Sequence, residues 1–506
     1  MLEVQVAQRE LGELLAGLAD ERLMARCGRQ PITGVFDDSR KVTPGGLFVA
    51  VRGTAVDGRE FVEGAVARGA AVVVGEGLPA HERAIVVNVP DARAALARLA
   101  LRWHGLDGEC GARLRLLGVT GTNGKTTTAI MTRAIVHAAG LKCGLLGTVR
   151  YDLCGRSVTA GVTTPGALEL AGCLRECCDA GAGVVVMEVS SHALDQQRVA
   201  GLRFAAAAFT NLTGDHLDYH GTFENYRAAK ARLFAGLDAS AVAVVNRDDP
   251  SAAELVRDCA GRLAWYSLGG DGDIVGSLSR ETTHGTYYRV RVEGRDLLLE
   301  NAIVGRHNVY NALAAIGLAR ALELPWEAIE AGLGAVRNIP GRLQRVPCVR
   351  GVDVFVDYAH TDDALRNVLR ALKPLVRRRL VVVFGCGGDR DRGKRPRMAQ
   401  AATEYADVIV VTSDNPRHED PNAIIAEIVT GFAPGLERDV RVEPDRAAAI
   451  GLALELAQEG DVVLIAGKGH ENYQILGERR IHFDDVEVAI SAAAQLSRAA
   501  SGGRQP

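Results

Sequence analysis

A chain of 506 residues exceeds one ordinary core, and domains of about 100 to 200 residues make three the expected number. A hydrophobic fraction of 47% and a charged fraction of 24% exclude a disordered or collagen-like chain. The net charge of −3 leaves no electrostatic case for nucleic acid or anionic membrane as a partner.

The opening MLEVQVAQRELGELLAGLADERLMARCG carries regularly spaced acidic residues and predicts an amphipathic helix without an apolar signal core, so a cytoplasmic protein is expected. Up to about residue 90, FDDSRKVTPGGLFVAVRGTAVDGREF and AAVVV suit a small α/β domain. DARAALARLALRWHG opens a second region in which RLRLLGV, VVVMEV, AAAAFTN and AVAVVN read as strands with polar carboxyl ends. The segment RNIPGRLQRV, with Pro340 and Gly341, reads as a linker. Beyond it VDVFVDYAH, LVVVFGCGGDRD, DVIVVTSDNPR and DVVLIAGKGHE are four apolar runs ending in polar residues, the loops where an open parallel sheet places its chemistry. Strand, loop and helix alternate throughout, so the fold class is α/β, with domains expected at 1–90, 91–338 and 339–506. No window of eighteen apolar residues lacks a charge, and no membrane insertion is expected. Ten cysteines occur without a C-x-x-C pair or a neighbouring histidine set, which predicts reduced, mostly buried thiols.

GVTGTNGKTT follows an apolar strand and precedes AIMTRAIVHAAG, the context of a phosphate loop for ATP. Gly121, Thr122, Asn123, Gly124, Lys125, Thr126 and Thr127 would surround the phosphates, with the Thr126 hydroxyl on Mg²⁺. The Walker pattern needs a glycine where Val119 stands, and alone the segment also fits a Gly-rich turn. Glu188, at the end of VVVM, is a carboxylate suited to the same Mg²⁺.

GTNGKTT, MEVSSHALDQQRV, FTNLTGDHLDYHGTFENYRAAKARLF, GRHNVYN, PGR and DYAH occur in the order seen in Mur ligases, and the chain resembles that family from about Asp38 to His470. The resemblance implies an N-terminal domain holding a uridine nucleotide, a central P-loop ATPase domain with a mainly parallel sheet, and a C-terminal Rossmann-like domain that closes the site. It implies an ATP-dependent, amide-forming monomer that acts through an acyl phosphate on UDP-N-acetylmuramoyl-L-alanyl-D-glutamate, in peptidoglycan synthesis. DSR, TTP at Thr163 to Pro165 and DNPR at Asp414 to Arg417 resemble the members that add meso-diaminopimelate.

The same resemblance implies residue roles. His216 would lie near a second Mg²⁺, and Lys230 would be carbamylated so that its oxygens bind metal, although spacing alone reads them as a surface histidine and a solvated helix face. Asn308, Arg342 and Asp357 would meet adenine, phosphate and ribose. Asp37, Ser39, Thr54, Ala55 and Val56 would hold the uridine side, the last three through backbone. Thr163, Thr164, Ser190, Gln196 and Arg198 would hold the sugar and peptide. Arg390, Asp414, Asn415, Pro416, Arg417, Gly467 and Glu471 would read the amino acid. Asp362 departs from the family, where proline is usual, and is expected to alter loop stiffness without loss of activity.

Diaminopimelate differs from lysine by a distal carboxylate, which the Arg417 fork can hold with two charge-assisted hydrogen bonds. L-lysine as the amino acid, a folate-glutamating ligase and a binding module with an idle ATP site are the rival readings. The DSR, TTP and DNPR segments weigh against the folate reaction, and Glu188, Lys230 and the phosphate loop together weigh against the idle site.

Overall fold

A computed structural model describes residues 8–53, 56–349 and 351–502. The chain forms two compact units, Met1–Tyr266 with Ala314–Gly332, and Ser267–Leu313 with Leu333–Pro506.

The first unit begins with two short helices, Leu11–Leu15 and Glu21–Cys27, where the sequence predicts one. Gly17, at φ +68°, breaks the run, and the Asp20 carboxylate then accepts from Leu23 N at 2.8 Å to cap a new helix. Four parallel strands follow, Val35–Phe36, Gly46–Ala50, Ala70–Gly75 and Ile85–Asn88, adjacent in chain order. Their alternation decides the packing. Leu47, Val49, Val72 and Val74 meet Leu96 and Leu99 of helix Ala92–Trp103, while Phe48, Val73 and Ala50 face Ala65 and Val66 across the sheet.

The larger sheet of this unit runs, in spatial order, Ser157–Thr159, Arg150–Asp152, Cys143–Leu146, Val184–Glu188, Arg115–Thr120, Phe204–Phe209, Val242–Asn246 and Arg262–Leu268. Its first two strands are antiparallel and the rest parallel. Val185, Met187, Ala207, Phe209 and Val245 pack with Leu174 and Phe234 in one core. The register sets Glu188 beside Val119 and Phe209 beside Thr120, so the three central strands end together.

In the second unit Ile274–Thr282, Gly285–Val292 and Arg295–Asn301 form an antiparallel meander, which the repeated βα reading does not anticipate. The other sheet has the order Gln344–Val349, Val352–Asp357, Val462–Ala466, Leu380–Phe384, Val408–Val411 and Asp439–Val442, parallel except at the first pair. The four apolar runs named above are therefore neighbours whose carboxyl ends share one edge. Val382, Phe384, Ile409 and Leu464 face one core, and Val381, Val383, Val410 and Ile465 the other.

Three expectations are corrected. The linker segment is packed structure: Gly341, at φ +66°, lies so close to Gly469 and His470 that a Cβ would strike their backbone. Gly341→Ala is expected to cost about 2 kcal/mol of stability, measured as a lower denaturant midpoint at unchanged slope. Asp362 is not in a loop but is the first residue of helix Asp362–Leu372, after the Thr361 cap. Proline and an acidic residue both suit that position, one by its fixed φ and the other by charge against the helix dipole. Finally, not all thiols are reduced, because Cys110 and Cys178 are joined as a disulfide with Cα atoms 6.4 Å apart. The two are 68 residues apart in sequence, a pairing that only the packing of helices Glu109–Arg113 and Ala167–Asp179 creates. Among the described residues no helix is long and apolar enough to cross a membrane.

Candidate active site

The phosphate loop joins strand Arg115–Thr120 to helix Lys125–Ala138. Gly121 and Gly124 have φ +150° and +87°, and a Cβ on Gly121 would collide with the Thr210 hydroxyl. Val119 is buried and still paired with Glu188, so the strand continues through the position where a Walker glycine would turn, and the loop starts at Gly121. Lys125 Nζ donates to the carbonyls of Gly121 and Thr122 at 2.8 and 2.9 Å. The loop is braced from FTNLT: Thr122 N donates to Asn211 O, Asn123 N to the Asn211 side chain, and Thr210 Oγ1 to Asn123 O at 2.6 Å. Sequence reasoning assigned no role to Thr210 or Asn211, since bracing across 88 residues has no local signal.

Glu188 ends its strand with 1% of its surface exposed. Its carboxylate accepts from Thr126 Oγ1 at 3.1 Å and from Thr148 N and Oγ1 at 2.9 Å each. A side chain on Gly147 would strike that carboxylate, so this glycine belongs to the site. Lys230, on helix Phe223–Ala235, is buried; its Nζ donates to Gly121 O at 2.9 Å and lies 4.6 Å from the Tyr226 ring centre. Burial, and then the Lys125 charge, hold its pKa well below that of a free lysine. His216 adopts φ +54° with its side chain about half exposed, and partial burial, with His192, Lys125 and Lys230 nearby, holds its pKa below the usual histidine range. Its ring packs edge-on to His192 at 4.8 Å, within a group that includes Tyr219, His220 and Tyr226. Among the described residues no three His, Cys, Asp or Glu side chains form a ready metal cage. The hard oxygens of Thr126 and Glu188 nonetheless suit Mg²⁺, which keeps most of its shell as water and substrate oxygens.

From Glu188 a continuous chain of hydrogen bonds joins the residues expected to hold sugar and peptide. Thr163 Oγ1 meets Thr148 Oγ1 at 3.1 Å, and Thr164 Oγ1 donates to Glu188 O at 2.8 Å. Ser190 N donates to Thr164 Oγ1, Arg198 Nη1 to Thr164 O, and Arg198 Nη2 to Gln196 Oε1 at 2.7 Å. Tyr219, absent from the sequence reading, completes the chain by accepting from Gln196 and donating to Asp195.

The described residues expected on the uridine side, Asp37, Ser39 and Val56, follow the first two strands of the small sheet. Asp37 follows strand Val35–Phe36 and is exposed, Ser39 opens a short turn capped by Asp38, and Val56 is exposed with its carbonyl accepting from Gly53 N at 2.9 Å. Thr54 and Ala55 lie outside the described residues.

The second unit holds the remaining predictions. Asn308 is buried and its amide is engaged locally, donating to Val304 O at 2.6 Å and accepting from Asn311 at 2.9 Å. The Asp357 oxygens accept from Leu343 N at 2.7 Å and Ala359 N at 2.9 Å, and burial raises its pKa. Arg342 stands 5.3 Å from the Tyr358 ring centre. Asp414, Asn415, Glu471 and Gly467 converge: Asn415 Nδ2 donates to Glu471 Oε2 at 3.0 Å, and a Cβ on Gly467 would sit 3.4 Å from Asp414 Oδ2. Pro416 is buried, with its carbonyl pressed on Gly388. Arg417 takes φ +53°, held by Arg417 N to Ile475 O at 3.1 Å and Gly477 N to Arg417 O at 2.7 Å, and its Nη1 donates to Gly388 O at 2.7 Å. A non-glycine residue kept in that region costs of order 1 kcal/mol, which the surrounding bonds offset. Arg390 is exposed and donates to its neighbour Asp389 O at 3.2 Å.

Buried cations at this edge were missed, among them Arg395 and Lys468. Arg395 clasps Glu419 and Glu427 at 2.7 to 2.9 Å. Lys468 reaches Asp414 and Asn415. Their burial depends on tertiary packing; the sequence signal was GKGHE, where the lysine stands between two glycines.

Three family models match the chain: the Mur ligase family catalytic domain over residues 31–104, the Mur ligase middle domain over 119–319, and the Mur ligase glutamate ligase domain over 341–469. A relative from Solibacter usitatus, named UDP-N-acetylmuramoyl-L-alanyl-D-glutamate–2,6-diaminopimelate ligase, is 44% identical over 95% of this chain and 97% of its own. One of the same name from Gloeobacter violaceus is 47% identical over 93% and 95%. A solved structure bearing that name superposes with a TM-score of 0.71 at 35% identity, covering 97% of this chain and all of its own. A Mycobacterium tuberculosis folylpolyglutamate synthase, at 21% identity, TM-score 0.59 and coverage of 82% and 95%, shares the fold. On the strength of those domain matches and near full-length relatives, the chain belongs to the Mur ligase family.

Proposed function

We propose that this chain is an ATP-dependent ligase that joins meso-diaminopimelate to the D-glutamyl carboxyl of UDP-N-acetylmuramoyl-L-alanyl-D-glutamate, in the synthesis of peptidoglycan precursors. The observation that carries this is the single edge on which the phosphate loop, the buried Glu188 and the hydrogen-bonded chain from Thr163 to Arg198 meet. The names of relatives 44% and 47% identical support the amino acid and the acceptor.

ATP passes its γ-phosphoryl group to the glutamyl carboxylate, and the amine of diaminopimelate attacks the resulting acyl phosphate, releasing phosphate and leaving an amide. The backbone N–H groups of 121–127, the helix N-terminus and Lys125 hold phosphate oxygens. Mg²⁺ bound by Thr126, Glu188, His216 and carbamylated Lys230 would neutralise charge on those oxygens. The lowered pKa of Lys230 supports the carbamate, because an uncharged amine adds to CO₂ with loss of a proton. Asn308, Arg342 and Asp357 are assigned to adenine, phosphate and ribose; Asp37, Ser39 and Thr54 to Val56 to uridine; Thr163, Thr164, Ser190, Gln196 and Arg198 to the muramoyl peptide. Arg390, 414–417, Gly467 and Glu471 are assigned to the amino acid. The corresponding domains are 1–90, 91–338 and 339–506, in a monomer working in the cytoplasm.

The test is phosphate release and product mass for purified protein with ATP, Mg²⁺ and the UDP-linked dipeptide, in parallel with meso-diaminopimelate and with L-lysine. A tripeptide from diaminopimelate alone is the expected result. A product from lysine alone overturns the amino-acid assignment, and turnover with a folate substrate instead overturns the reaction.

A further inference from the structure

We infer that Lys468 is a positioning residue for the incoming amino acid, one that holds Asp414, Asn415 and Glu471 in place so that the pocket presents an ionised carboxylate pair to an amino group of a diamino acid. This rests on the ligase reading above. No role for Lys468 follows from the sequence.

The Lys468 side chain is fully buried, and its Nζ lies 3.0 Å from Asn415 Oδ1, 3.3 Å from Asp414 Oδ1 and 3.9 Å from Glu471 Oε2. Asn415 closes the ring: its Oδ1 also accepts from Ile475 N at 3.0 Å, and its Nδ2 donates to Glu471. The flanking glycines fix where the lysine enters. Gly467 and Gly469 have φ +120° and +56°, and a Cβ on Gly469 would press on the Tyr358 backbone. Three of the residues assigned to the amino acid therefore share one cation.

Among the described residues, the other buried cation near Asp414 makes its hydrogen bonds elsewhere. Arg446, also buried, is bound to both oxygens of Asp485 at 2.8 and 2.7 Å and donates to the carbonyls of Ser413 and Ala466. That pair is neutral and ties two strand ends together. What remains is Asp414 and Glu471 against Lys468, one negative charge in excess, which matches an ammonium or a polarised amine on the substrate. Asp414 and Glu471 both lie near Lys468 Nζ in a poorly solvated site, and that ammonium favours their ionised forms even though burial lowers the lysine's own pKa. Burial raises Asp414, but Lys468 and Arg446 outweigh it and hold its pKa below the usual range; burial and Asp414 raise Glu471. Other charged and titratable groups around the cluster include Asp485, His360, Tyr358 and Tyr473, with Arg342 and His470 beside Tyr358 and Arg417 and Arg480 beside Tyr473.

The experiment is steady-state kinetics of full-length wild type, Lys468→Met, Lys468→Gln and Lys468→Arg, with folding checked by thermal unfolding. For Lys468→Met and Lys468→Gln the KM for diaminopimelate should rise at least about tenfold, while the KM values for ATP and the UDP-linked dipeptide stay within about twofold. The acid limb of kcat/KM for diaminopimelate should move to higher pH, because the carboxylates left without Lys468 ionise later. Lys468→Arg, which keeps the charge, should recover part of the affinity. An unchanged KM for diaminopimelate in a folded variant, an equal rise in all three KM values, or loss of folded protein in all three variants would overturn the inference. Wild type without diaminopimelate product would instead overturn the ligase reading on which it stands.

Discussion

Replacing Lys230 by alanine is expected to lower kcat by at least about a thousandfold while the protein stays folded, and acetate or formate should restore part of the rate. Lys230 is fully buried yet makes one close polar contact, with Gly121 O, and it stands beside the Lys125 charge. A protonated lysine there would add positive charge to a pocket that already has one. Burial and Lys125 instead favour the neutral amine, and the proposed carbamylation would turn that amine into an anion with two oxygens. Alanine leaves a cavity about the length of the side chain, into which a short carboxylate can bring the same charge. The check is product formation against carboxylate concentration, together with the mass of the intact wild-type protein. Full activity of Lys230→Ala without any carboxylate would remove this lysine from the mechanism.

Arg417→Ala is expected to lower kcat/KM for diaminopimelate by about a thousandfold and to leave L-lysine use nearly unchanged, collapsing the discrimination between them. The guanidinium carries five donors, and Gly388 O takes one of them. A forked pair to the distal carboxylate needs its planar geometry, so Arg417→Lys should fail almost as badly as alanine. Lysine as substrate would leave that donor pair unmatched, which would be the physical source of the proposed selectivity. Competition between the two amino acids, read by product mass, measures the ratio. A variant that still prefers diaminopimelate by the wild-type ratio would move the selectivity elsewhere, to Arg390 or to the carboxylate pair.

Much of the candidate site was legible because its motifs are local. The phosphate loop needs a strand, two glycines and a helix start within ten residues, and all are contiguous. Glu188 could be read as the polar end of an apolar run, and its register beside Val119 shows why that end matters. Lys230 could not be read from spacing, because a lysine on a helix looks solvated until the packing is known, and the half-exposed His216 carries no local signal of its aromatic neighbours. Asn211, Thr148 and Tyr219 were missed for the same reason, since each acts on a residue far away in the chain.

By itself the sequence determined the α/β class, the alternating apolar faces and the strand ends where chemistry gathers, because each depends on periodicities of a few residues. The meander has the same period of two in GTYYRVRV, where buried and exposed residues alternate from Thr286, but the repeated βα reading passed over it. Tertiary structure alone decided which charges are buried and what holds them. Lys230, Lys468, Arg446 and Arg395 are ordinary basic residues in the sequence. Folding removes their water, and removing water from a charge costs so much that each must find a partner or lose its proton.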